Sequence, residues 1–120
     1  MADRHVIPYD FGEAKAAIER AALAQKGAEG FIKSSFKEYA AAERAYRQAL
    51  ANRIVQLRAD GTPATVTNDL ARGDKHVSDL RYARDVQAGV KEAALSAVWR
   101  HSANRRELEQ LVNWSMKLEP

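Results

Sequence analysis

Apolar residues in this chain recur at spacings of three and four, the period of one helix face, and runs of β-branched residues are scarce. Ala14, Ile18, Ala21, Gln25, Ala28 and Ile32 form a first stripe. Asp10 can cap that segment, with Glu13 three residues on as an approximate capping box. Gly27 and Gly30 then interrupt the stripe; they can kink the helix, end it or allow close approach of a neighbour, with a break slightly favoured. A second stripe follows through Ile32, Phe36, Tyr39, Tyr46, Leu50, Ile54 and Leu57. Asp60-Gly61 should stop it, since Gly suits a left-handed C-cap and Pro63 cannot continue the ladder.

Between Gly61 and Gly73 the chain reads as a connector, with Thr67 or Asn68 capping one short turn, "NDLAR". Asp74 caps the next helix. Its stripe is Val77, Leu80, Ala83, Val86, Val90, Ala94, Ala97, His101, Leu108, Leu111 and Leu118. From Val90 onward the spacing alternates between four and three without a break, the period of a coiled-coil seam diluted by His101, Asn104 and Ser115. The expectation is therefore one all-α domain over 1–120, a long antiparallel, coiled-coil-like helical hairpin with a shorter N-terminal helix. Its parts are an extension over 1–10, helices over 11–29, 31–60 and 75–118, and a connector over 61–74. Two helices bury only a narrow stripe, so a homo-oligomer is expected to cover the remainder.

Composition narrows the chemistry. The 120 residues contain no cysteine, which excludes disulfides, thiolate metal sites and cysteine nucleophiles. No apolar run is long enough to span a membrane, and "MADRHVIPYDFGE" lacks the apolar core of a secretory signal, so a cytoplasmic protein is expected. "GAEG" and "RGD" lack the strand-then-helix setting of a phosphate cradle, and no nucleophile motif surrounds any serine or threonine. His5, His76 and His101 stand far apart, and Asp74, His76 and Asp79 read as helix-start acids and not as metal ligands. Neither an enzyme, a cofactor nor a metal is expected. Glu43 lies in the second stripe, either paired locally with Arg47 one turn on or partnered across helices to fix their register.

The net charge of +3 permits an acidic partner without requiring one. Lys33, Lys37, Arg44, Arg47 and Arg58 cluster within roughly 80° on the helical wheel. On the last helix Arg81, Arg84, Lys91 and Arg106 read as the face opposite the seam, with Leu95 and Trp99 among them. A basic stripe with an interleaved Trp suits a protein partner or a nucleic acid.

The block "LRADGTPATVTNDLARGDKHVSDLRYARDVQAGVKEAAL", Leu57 to Leu95, resembles a family of small helical proteins of tailed bacteriophages and prophages. The resemblance rests on Leu57–Gly61, Asp69–Gly73, Asp79–Arg81 and Arg84–Val86. It implies an accessory role in phage DNA metabolism or against host machinery, in the host bacterial cytoplasm, and supplies no catalytic residue. It also implies more than a hinge for "NDLARGD": Asp69, Arg72, Asp74, Asp79 and Arg81 become candidates for a polar cluster that locks the bend or meets a partner. The leading expectation is a self-associating protein that binds a host or phage protein, using Trp99, Leu95, Asp69, Arg72, Asp74 and Arg81. The rivals are a nucleic-acid-binding accessory protein, using Lys33, Lys37, Arg44, Arg47, Arg84, Lys91 and Arg106, and a virion or scaffolding component.

Overall fold

The computed structural model describes residues 11–117, and the expected Asp10 cap lies outside them. The fold is all-helical: α1 (Phe11–Ala59), α2 (Ala64–Gly73) and α3 (Lys75–Lys117). The expected break near Gly27 and Gly30 does not occur. One 49-residue helix passes through both glycines, so there is no separate shorter N-terminal helix. A helix this long sums its propensity over many good formers and absorbs two glycines at about 1 kcal/mol each. Nor does a neighbour need the missing side chains, since nothing lies within 4 Å of a Cβ built at either position.

Helix α1 ends in a Schellman turn. Gly61 adopts φ +90, its N–H donates to the Arg58 carbonyl at 3.1 Å, and the Thr62 N–H reaches back to the Leu57 carbonyl at 3.0 Å. Helix α2 is longer than the single turn the sequence suggests, and it starts after Pro63, whose ring presets the dihedral of the helix entry. Thr67 is therefore no cap. It lies inside α2, buried, with its hydroxyl donating to the Pro63 carbonyl at 2.8 Å. With Ala71, Thr67 makes the inward face of α2, and Val66 and Leu70 face outward.

The chain divides into two compact units, a hairpin unit over Lys33–Ala93 and a terminal unit that pairs the early part of α1 with the late part of α3. In the hairpin unit, the α1 and α3 segments run antiparallel. Contacts pair Tyr39 with Lys91, Glu43 with Arg84 and Arg53 with Asp74, so partner numbers fall as α1 numbers rise. In the terminal unit Gln25 accepts a hydrogen bond from Arg105 at 3.5 Å, and Ala14 and Ile18 flank a hollow with Val112. That order too is antiparallel.

On α1 the apolar stripe that the sequence marks faces inward at every position but Phe36. Ser35 is 3% exposed whereas its neighbour Phe36 is 46% exposed. On α3 of the hairpin unit Val77, Leu80 and Val90 of the expected stripe are buried or half-buried, as are Arg84, Gln87, Ala88 and Lys91, whereas Ala83 and Val86 are exposed. In the terminal unit the inward set continues through Ala94, Val98, His101, Arg105, Leu108 and Val112, with Asn104 and Leu111 exposed. Spacing on the terminal set stays at three and four. Ser35 is buried and Ala42 half-buried, and the long side chains of Arg84, Lys91 and Arg105 are half-buried as well.

Candidate functional site

The connector is organised around Asp74. Its N–H donates to the Ala71 carbonyl at 3.3 Å, closing α2. Its carboxylate accepts the Val77 N–H at 3.3 Å, and its carbonyl accepts the Ser78 N–H at 2.8 Å, opening α3. The other carboxylate oxygen lies 3.4 Å from Arg53 Nε on α1. That contact is an ion pair without hydrogen-bond geometry, for Nε–H finds no acceptor. One residue thus ties three helices. The polar cluster suggested by "NDLARGD" is reduced to this residue. Asp69, Arg72 and Arg81 are exposed without ion pairs among the described residues, and Asp79 pairs with Lys75 at 2.7 Å. That hydrogen bond, with the carboxylate's charge, holds the Lys75 ammonium above the usual lysine range.

A second constellation faces a groove of about 590 Å³ in the hairpin unit, with Phe36, Tyr39, Glu43, Arg44, Arg47 and Lys91 along it. Arg84 and Lys91 do not stand opposite the seam, as the wheel suggested; both are half-buried within it. The Lys91 ammonium sits 4.2 Å from the Tyr39 ring centroid and 5.1 Å from that of Phe36. Ring quadrupoles replace a carboxylate there, and Lys91 forms no ion pair among the described residues. Arg84 stacks 4.7 Å from the Tyr46 centroid and donates to Asp85 at 2.9 Å and to Glu43 at 3.5 Å. The hydrogen bond to Asp85 raises its pKa most, partly opposed by burial, so the guanidinium stays charged.

Glu43 meets both descriptions that its position allowed, bridging to Arg47 at 3.7 Å on its own helix and to Arg84 across the hairpin. Lys33, Lys37 and Arg44 are exposed and form no ion pair among the described residues. Arg53 was not singled out from the sequence, and Tyr39 and Tyr46 were read only as positions of the apolar stripe. An Arg at an inward heptad position, one turn from Leu57, was the available signal for the first.

Leu95, Trp99 and Arg106 belong to the terminal unit. Leu95 is half-buried, Trp99 is 70% exposed, and Arg106 reaches Ser102 at 3.4 Å. Among the described residues no three His, Asp or Glu side chains gather as metal ligands, and no helix is long and apolar enough to cross a membrane. Compared with known proteins, the chain matches no family model, no curated protein and no solved structure.

Proposed function

We propose that this chain is a non-enzymatic helical protein that self-associates and acts by binding another protein, as a phage accessory factor would when recruiting or blocking a host DNA-processing or defence protein. One observation carries the reading: few large apolar side chains are fully buried, and many are exposed. Among the described residues the buried apolar side chains are five alanines with Tyr46, Leu57 and Val77. Leu23, Tyr82 and Trp99 are 69%, 72% and 70% exposed, and Phe31, Val55 and Trp114 are exposed as well. Buried alanines contribute little transfer free energy, while one covered aromatic side chain removes roughly 150–250 Å² from water. A fold with such an interior gains most by covering its exterior, and exposed rings are the residue type that anchors protein interfaces.

Light scattering on the purified chain tests self-association. A mass at a multiple of 13.4 kDa that falls on dilution is the expected result, and a monomer at every concentration removes it. Capture from bacterial lysate tests the partner: Trp99→Ser should release what the unaltered chain retains. Identical retention by both would remove Trp99 as an anchor.

A further inference from the structure

We propose that the groove bounded by Phe36, Arg44, Arg47 and Lys91 is a track for single-stranded nucleic acid, with phosphates on the cations and a base against the Phe36 ring. This goes beyond the protein-binding reading and does not depend on it. The first support is uncompensated charge. Three cationic side chains, Arg44, Arg47 and Lys91, line the groove with one carboxylate, Glu43, which is shared between Arg47 and Arg84; Arg84 beside the groove is paired with Asp85 as well. Lys91 is the sharper case, a cation at an inward heptad position offset only by aromatic faces. Such an arrangement leaves a positive field along the groove that an anion would complete.

The second support is the line of the cations. Lys33, Lys37, Arg44 and Arg47 share one sector of α1, and at 1.5 Å per residue they extend over about 21 Å of straight helix. The first three have no acidic partner among the described residues. A polymer of regularly spaced negative charges matches a straight row of free cations better than an isolated anion does.

The third support chooses among polyanions. Phe36 stays 46% exposed at the groove, while Ser35 beside it is buried and Tyr39 half-buried. An unpaired base has a flat face to lay on that ring, and stacking platforms beside cations are how sequence-tolerant single-strand binders hold their ligand. A duplex keeps its bases stacked on one another, and an acidic peptide would use Arg44 and Arg47 while leaving the ring bare.

Fluorescence anisotropy with a labelled oligothymidylate, at about 50 and 200 mM salt, tests the proposal. Binding should weaken as salt rises. The double variant Arg44→Gln, Arg47→Gln should flatten the plot of log affinity against log salt by about 1.4, the share of two single-strand phosphates. Phe36→Ala should bind about tenfold more weakly with the salt slope unchanged, because stacking is not ionic. Phe36→Leu keeps the apolar volume without the flat face and should lose affinity in the same way, while Phe36→Tyr should retain it. Circular dichroism verifies that each variant keeps its helices. The proposal is overturned by absent or salt-insensitive binding, or by Phe36→Leu binding as tightly as the unaltered chain. Displacement of the oligonucleotide by duplex DNA or polyglutamate at equal charge concentration overturns it equally, pointing to a duplex or an acidic protein in its place.

Discussion

Arg53 on α1 reaches across the hairpin to Asp74, Nε to carboxylate oxygen 3.4 Å, at the residue where α2 ends and α3 begins. The two roles of that carboxylate separate by substitution. Asp74→Asn keeps an oxygen for the Val77 N–H and removes the charge facing Arg53, a half-exposed ion pair, so it should cost about 0.5 kcal/mol. Asp74→Ala removes the cap as well and should cost about 1.5 kcal/mol. Urea unfolding of the three proteins reads the difference. Equal losses would show that the ion pair, and not the cap, sets the stability of the bend.

Two kinds of glycine are expected to respond in opposite directions. Gly61 holds φ +90 at the end of α1, so Gly61→Ala should destabilise by about 1–2 kcal/mol despite open space around the position. Gly27 and Gly30 are helical, exposed and unobstructed. Alanine at either should stabilise by about 0.5–1 kcal/mol, chiefly through the reduced entropy of the unfolded chain. Thermal melts followed by circular dichroism check both signs. A loss at Gly30→Ala would mean that a neighbouring copy needs the bare backbone there.

The group formed by Glu43, Tyr46 and Arg84 predicts coupling. Arg84→Met keeps most of the aliphatic stem but strands Glu43 with only its same-helix partner and empties the face of Tyr46. It should cost about 1–2 kcal/mol, more than exposed ion pairs usually carry, because the cation also stacks on a buried ring. In a double-mutant cycle, Arg84→Met with Glu43→Gln should fall short of the sum of the single losses by about 0.5–1 kcal/mol. Strict additivity would show that the 3.5 Å contact contributes nothing.

The features legible in the sequence were those where the backbone demands a particular residue. Gly61 and Asp74 mark real helix ends because positive φ and capping each restrict the choice. Gly27 and Gly30 misled, since propensity is a summed quantity and a long helix outweighs local penalties. The seam was legible on α1, where every stripe residue but Phe36 is buried or half-buried. On α3 it was legible in part: Val77, Leu80, Val90, Ala94, Ala97, His101 and Leu108 face inward, but Ala83, Val86 and Leu111 are exposed. A second row at the same spacing, Arg84, Lys91, Val98, Arg105 and Val112, is half-buried as well. Long basic side chains can lie along a helix contact, which hydropathy alone does not weigh. Reading the inward face too narrowly put Arg84 and Lys91 on the outer face and concealed the aromatic–cation contacts of the groove.

The exposed positions of the expected α3 stripe bear on the last prediction. Within the hairpin unit Ala83 and Val86 of α3 and Ala41 and Ala42 of α1 border a hollow of about 470 Å³ with Tyr82 at its edge and Glu38 as its one charged residue. If copies of the chain cover such surfaces, stability must depend on concentration, because dissociation accompanies unfolding. For an assembly of two chains, a tenfold rise in concentration adds about 1.4 kcal/mol, which corresponds to about 4 °C in Tm. Tyr82→Ser and Trp99→Ser leave buried packing untouched, since both rings are exposed, so together they should reduce that dependence while preserving helicity in dilute solution. A Tm that does not move with concentration would mean that each chain holds its fold alone, and that the exposed rings serve a different partner.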